Sequence, residues 1–415
     1  MDKTVSRGRL EGRISPPCSK SYAQRALALS LLAEGTTTLR NIEFCDDTLS
    51  ALGCIEALGA KTARIDDTTL RVEGGFSPQT SVLHVGESGL ATRLFTPIAS
   101  LWNAPIVIEG EGTLLHRPMF SIVEPLRELG VTVRDGGGHL PIEVCGPLKG
   151  GQTAIDGSVS SQFITGLLLA APLAQHDTTL RVRDAVSIPY IDMTIETAER
   201  FGARILHGDY KEFFVEGRQH YTATDYAIEG DWSAAAMLLA AGAIAGEVTV
   251  DNISPLSKQA DTLICRALVR AGASLISDDH SVTASARPLT SFEFDATNAP
   301  DLFPALVALA AAADGVSTIV GTSRLEHKES HRAETLKEEY GKMGIEIDID
   351  TDNIMRVRGG EIRPAQTNSH NDHRIAMSIA VSALRCEGEV TIADADAIAK
   401  SYPTFFDDIE SLRVK

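Results

Sequence analysis

Six apolar stretches of this chain are each entered through residues that can do chemistry. The entries carry Ser19 and Lys20, Ser88 and Gly89, Ser160, Ser161 and Gln162, Asp231 and Ser233, Asp301, and Asp372 and Arg374. Hydroxyls, amides, carboxylates and cations therefore stand where an apolar helix begins. A helix start leaves four backbone N–H groups without partners and carries the positive end of the dipole. Such a start suits a phosphate or carboxylate ligand. Ser and Asp are also favoured N-caps, so capping alone accounts for those residues. Lys20, Arg25 and Arg374 are different: a cation at a helix start opposes the dipole, and a nearby anion would compensate it.

The elements behind these entries repeat. Helix-to-strand joints recur at Ala33-Glu34-Gly35-Thr36, Leu101-Trp102-Asn103-Ala104-Pro105, Ala174-Gln175-His176-Asp177, Ala245-Gly246-Glu247-Val248, Ala313-Asp314-Gly315-Val316 and Glu387-Gly388-Glu389-Val390. A second marker is an apolar residue followed by Gly at a helix end: Gly59, Gly130, Gly202, Gly272 and Gly344, spaced 71, 72, 70 and 72 residues apart. Gly is the usual residue just past a helix because it accepts the left-handed conformation. The period exceeds solenoid repeats, so each of six units is expected to be a small α/β fold. The apolar helices lack a polar face and are expected to be buried. Alternation of helices and strands argues for an α/β architecture. Gln219–Asp225, polar and at the midpoint of the six units, reads as the link between two halves.

Composition narrows the function. The chain has 415 residues and a net charge of −18, with 43% hydrophobic and 23% charged residues. That size supports two or three cores, and the acidic balance argues against nucleic acid or an anionic membrane as partner. Anionic substrates would need cations gathered locally. No apolar leader follows Met1, and the longest apolar runs, Ala234–Ala245 and Ala305–Ala313, are too short to span a bilayer. Six scattered cysteines without Cys-x-x-Cys spacing read as reduced thiols in a cytoplasmic protein, with neither zinc nor disulfides. The chain has no Gly-x-x-x-x-Gly-Lys-[Ser/Thr] loop and no Gly-x-Gly-x-x-Gly after a strand. His370 and His373 have ligand-like spacing but no evident third ligand, so no metal is expected.

Four motifs resemble those of the EPSP synthase family of enolpyruvyl transferases. They are Ser19-Lys20-Ser21-Tyr22-Ala23-Gln24-Arg25, Gly157-Ser158-Val159-Ser160-Ser161-Gln162-Phe163, Lys328-Glu329-Ser330-His331-Arg332 and Asn371-Asp372-His373-Arg374-Ile375-Ala376-Met377. Their order and separation fit along the whole chain. The resemblance implies a two-domain inside-out α/β barrel, each domain three βαβαββ units around buried parallel helices. The implied domains are 14–224, and 1–13 with 225–415, with the active site in the cleft between them.

The implied reaction moves the enolpyruvyl group of phosphoenolpyruvate to the 5-hydroxyl of shikimate 3-phosphate by addition and elimination, without a cofactor. By resemblance, Lys20, Ser21, Arg25, Ser160, Ser161, Gln162, Ser187, Asp301 and Lys328 bind shikimate 3-phosphate. Lys20, Gly89, Arg117, Gln162, Arg332, Arg374 and Lys400 bind phosphoenolpyruvate. Asp301, Glu329 and Lys20 carry the proton transfers. Glyphosate is the implied competitive inhibitor, and a monomer the implied state. One motif departs: Gly86-Glu87-Ser88-Gly89-Leu90-Ala91-Thr92-Arg93 has Glu87 where the family usually has Asn, and Leu90 where it has Thr. A carboxylate at Glu87 needs a partner, for which Arg93 and Arg117 are the candidates. His331 stands where Asp is usual. The alternatives are transfer to UDP-N-acetylglucosamine, disfavoured because Leu115-His116-Arg117-Pro118 lacks the cysteine of that sister enzyme, and a non-catalytic ligand-binding protein of the same fold.

Overall fold

The computed structural model describes residues 1–326 and 328–414. Two compact units result: Cys18–Ile228, and Met1–Pro17 together with Glu229–Lys415. The 18–228 unit carries helices α1 (Lys20–Leu32), α2 (Asp46–Ala57), α3 (Gly89–Ala99), α4 (Phe120–Glu128), α5 (Ser161–Ala170) and α6 (Ile188–Arg200). The other carries α7 (Trp232–Ala245), α8 (Ile264–Arg270), α9 (Phe303–Ala311), α10 (Arg332–Lys342), α11 (His373–Ala383) and α12 (Phe405–Ser411).

Odd-numbered helices up to α11 are the apolar ones, and burial follows from composition. Every residue of α3, α9 and α11 is buried. In α5 only Gln162 is not, and in α1 only Lys20 and Ser21. The residues left accessible thus lie at the helix starts. In the 18–228 unit α3 packs on both α1 and α5, and in the other unit α7, α9 and α11 pack on one another. Five of the six starts are capped: Ser19 accepts from Tyr22 N, Ser88 from Ala91 N, Ser160 from Gln162 N, Asp231 from Ala234 N and Asp372 from Arg374 N. Each such cap is worth about 1 kcal/mol. The sixth, α9, is entered through a 3-10 turn, Pro300–Leu302, that holds Asp301.

The sheets repeat as the helices do. In the 18–228 unit, strand 36–40 pairs in parallel with 225–227 and antiparallel with 69–73, which pairs antiparallel with 61–64. The same order links 82–84, 106–109, 142–145 and 132–135, and then 151–156, 178–183, 212–215 and 206–208. In the second unit it links 10–14, 246–251, 281–285 and 274–277, and 293–295, 316–320, 354–358 and 346–350. A sixth sheet joins 365–368 in parallel to 389–393, whose other edge takes Lys3–Ser6 antiparallel. Strand residues alternate between buried and exposed, as in Thr36–Arg40, so one face covers the helices. The five glycines with a common period all have positive φ, from 85° to 113°, and follow α2, α4, α6, α8 and α10.

Two boundaries differ from the sequence expectation. Leu10–Ile14 pairs with Gly246–Val250, so Ile14 belongs with the second unit. Gln219–Asp225 is no free link: Tyr221–Thr222 pairs with Ala33–Glu34, and Asp225–Ala227 with Thr38–Arg40, which moves the crossing to 228/229. Polar composition concealed two short edge strands. No helix among the described residues is long and apolar enough to cross a membrane.

Candidate active site

In the 18–228 unit the starts of α1, α3 and α5 hold one set of groups. Lys20 opens α1, and its ammonium lies 2.8 Å from Asp47 at the start of α2. Arg25, one turn further on, is fully buried. It donates to Ser21 O at 2.8 Å, Tyr190 O at 3.0 Å, Thr194 Oγ1 at 3.0 Å and Thr165 Oγ1 at 3.2 Å. All four acceptors are neutral, and burial lowers the guanidinium to about 10. Gly89 opens α3 beneath Arg117: a Cβ built there would lie 2.5 Å from Arg117 Nη1. Arg93 ties this corner together, donating to Gly89 O at 3.2 Å, Gln162 Oε1 at 3.0 Å and Pro118 O at 3.3 Å. Glu87 accepts from both N and Oγ1 of Thr113, at 3.2 and 3.0 Å, in the 3-10 turn that leads to Arg117. Ser160 caps α5 and Ser161 is its first residue, while Ser187, left-handed at φ 56°, precedes α6.

The second unit gathers Asp301, Lys328, Glu329, Arg332 and Arg374. Asp301 Oδ1 accepts from Lys328 Nζ at 3.1 Å and Arg332 Nη1 at 2.9 Å; its Oδ2 lies 3.6 Å from Arg374 Nη2. Arg332 is fully buried, and it also donates to Asp372 at 2.9 and 3.2 Å and to Glu329 at 2.6 Å. A guanidinium has five N–H groups, and four are spent on these three carboxylates. Burial alone would push the Asp301 carboxyl up, but Arg374, Lys328 and Arg332 outweigh it and hold it well below the usual range. Burial is also the largest influence on Arg374, yet Asp301 and Asp261 raise it above an ordinary guanidinium. Asp261 is fully buried, and burial together with the Asp301 charge pushes it up to about 7. Burial lowers Lys328. Lys400 donates to Asn371 O at 2.8 Å.

Fate differs among the three cations that oppose a helix dipole. Lys20 meets Asp47, and Arg374 meets Asp301. Arg25 meets no carboxylate among the described residues. Sequence reasoning missed Asp47, Asp261 and the Thr165–Thr194 shelf under Arg25. Asp47 follows a loop and begins a helix of its own, so only its sign hinted at Lys20.

Each unit gathers cations and carboxylates at helix starts, the composition of a protein that handles small anionic ligands. A family profile described as EPSP synthase (3-phosphoshikimate 1-carboxyvinyltransferase) matches residues 5–409. Among relatives named 3-phosphoshikimate 1-carboxyvinyltransferase, that of Methanocorpusculum labreanum is 34% identical, covering 99% of this chain and 98% of the relative. That of Thermococcus kodakarensis is 36% identical, covering 97% and 98%. A solved EPSP synthase from Acinetobacter baumannii superposes with a TM-score of 0.85 at 25% identity, covering 100% of this chain and 98% of the other. The chain belongs to the EPSP synthase family.

Proposed function

We infer that the chain transfers the carboxyvinyl group of phosphoenolpyruvate to the 5-hydroxyl of shikimate 3-phosphate, releasing phosphate, in aromatic amino acid biosynthesis. The observation that carries this reading is the Asp301 network. Three sequence stretches deliver Asp301, Lys328 with Glu329 and Arg332, and Asp372 with Arg374 to one cluster of opposite charges. Transfer between two anions needs such a cluster, because cations hold the ligands while a carboxylate accepts the hydroxyl proton.

The residues then take these roles. Shikimate 3-phosphate is held by Lys20, Ser21, Arg25, Ser160, Ser161, Gln162, Ser187, Asp301 and Lys328. Arg25 suits its phosphate, since a buried guanidinium with only neutral partners gains most from an anion. Phosphoenolpyruvate is held by Lys20, Gly89, Arg117, Gln162, Arg332, Arg374 and Lys400. The 5-oxygen adds to the substituted carbon of the enol, and Asp301 takes the hydroxyl proton. Lys20 and Glu329 deliver a proton to the methylene, which becomes a methyl group. The tetrahedral adduct then loses a methyl proton and breaks its bond to phosphate, regenerating the vinyl group.

Asp301 in the ligand-free chain is a weak base because three cations surround it. Anions that engage Arg374 and Lys328 offset part of that positive field and raise its basicity. Chemistry thereby waits for both ligands. Glyphosate, an anionic mimic, competes for the phosphoenolpyruvate groups in this reading, which also takes the chain as a cytoplasmic monomer.

The test is phosphate release from phosphoenolpyruvate by the purified protein. Release that requires shikimate 3-phosphate is expected. Release triggered by UDP-N-acetylglucosamine instead would overturn the assignment. Binding of shikimate 3-phosphate without release would leave a ligand-binding protein of this fold.

A further inference from the structure

Helix α10 begins with Arg332 and carries Glu339 two turns later, on the same side, as residues seven apart must be. Both side chains reach the segment before α11. Arg332 donates to Asp372, the cap of α11. Glu339, fully buried, accepts from Asn368 N at 3.0 Å and makes a 2.6 Å bond with His370 Nε2. Lys342 Nζ sits 2.7 Å from Glu339 and 3.0 Å from Glu338. Glu338, Glu339 and His370 are close enough to share a metal ion. The Lys342 ammonium already supplies a cation to both carboxylates, so the cluster is explained without one.

The segment it grips is strained. His370 and Asn371 are consecutive non-glycine residues in the left-handed region, with φ 53° and 57°. That region is sparsely populated by L-residues, so surrounding contacts must hold the turn. His370 N donates to Asn368 Oδ1, and Asn371 N to Ser369 Oγ, whose own proton goes to Asp394 O. The outcome is the direction of one carbonyl: Asn371 O accepts from Lys400 Nζ.

We propose that Glu339 and His370 are positioning residues for the phosphoenolpyruvate half-site: their bond keeps the 368–372 turn left-handed, and the turn in that form sets Lys400 through Asn371 O. Neither touches the ligand. The proposal rests on the assignment of Lys400 to phosphoenolpyruvate made above. His370 is partly exposed at the surface, so its replacement spares the core, whereas Glu339 is buried.

The test compares His370→Ala, His370→Gln and Lys400→Ala, singly and combined. His370→Ala is expected to raise KM for phosphoenolpyruvate roughly tenfold, the scale of one lost charged hydrogen bond. KM for shikimate 3-phosphate should change less than about twofold. His370→Gln keeps an N–H donor and should recover most of the loss. In the Lys400→Ala background, His370→Ala should add almost nothing, because coupled residues are not additive. An equal tenfold loss in that background would overturn the proposal. So would a crystal structure of His370→Ala in which the 2.8 Å bond from Lys400 to Asn371 O persists. That second readout needs no turnover. A wild-type protein that releases no phosphate would sink the reaction assignment, while the crystal structure still decides the positioning claim.

Discussion

Replacing Arg332 by Met tests how the Asp301 network is held together. Met follows the aliphatic stem of Arg but has no charge and stops short of the guanidinium, so three carboxylates lose a common partner and a small packing loss that acid does not remove is added. The three losses are unequal. Glu329 has a side chain one-fifth exposed and can hydrate. Asp301 keeps Lys328 at 3.1 Å and Arg374 at 3.6 Å. Asp372 is fully buried, and its remaining donors are Arg374 N and Ser330 Oγ, both uncharged. One buried charge is therefore left uncompensated, which costs about 3–5 kcal/mol, against a total stability of about 5–15 kcal/mol.

The assay is urea unfolding followed by tryptophan fluorescence. The chain has two tryptophans. Trp232 is buried in the unit that holds Arg332, and Trp102 lies in the other, so a Trp102→Phe background reports one unit. The deficit should depend on pH. The folded-state value of Asp301 is depressed below the ordinary 3.8, so its contribution is present above that value and is lost as pH falls through the folded one. The share of the gap that runs through the Arg332–Asp301 contact is thus full at pH 7 and is lost in acid. A deficit below about 1 kcal/mol at pH 7 would refute the charge argument, since that is the scale of a surface pair. A deficit unchanged in strong acid would mean that packing, not charge, was lost.

Three further outcomes follow from the same geometry. Arg25→Met should abolish measurable binding of shikimate 3-phosphate by calorimetry yet shift unfolding by only about 1 kcal/mol, because the burial cost of an unpaired cation offsets its four neutral hydrogen bonds. Gly89→Ala should raise KM for phosphoenolpyruvate by at least roughly tenfold with shikimate 3-phosphate affinity intact, since its methyl would push on a guanidinium 2.5 Å away; unaltered KM would show that Arg117 yields freely. Asp301→Asn should lower kcat about 100-fold or more in a phosphate-release assay while both ligands still bind, as loss of a general base does; a fall in affinity with kcat intact would leave Asp301 a binding group and remove it from the proton transfer.

Much of this was legible because the code is local. Gly59, Gly130, Gly202, Gly272 and Gly344 announce helix ends through a backbone need that only sequence-adjacent residues set, and all five adopt positive φ. Ser19, Ser88, Ser160, Asp231 and Asp372 announce helix starts for the same reason. Partnerships across the chain were not legible. Arg332 is assigned to phosphoenolpyruvate by resemblance, and nothing in the sequence said that it is also wholly buried among three carboxylates from separate stretches. The opposite sign of Asp47 could not say that it reaches Lys20. Gln219–Asp225 failed as a linker because edge strands of two or three residues leave too little pattern to read.

The pairing of Lys3–Ser6 with Glu389–Ile392 bears on how the molecule is made. Synthesis runs in the amino-to-carboxyl direction, so Lys3–Ser6 cannot pair until residues 389–392 have emerged. Leu10–Ile14 waits as well, until Gly246–Val250 arrives. Residues 18–228 have every strand they need once the second crossing, at 228/229, is synthesised. Residues 18–228 are thus the part able to fold first, while residues 3–14 stay without their sheet partners until later segments are made.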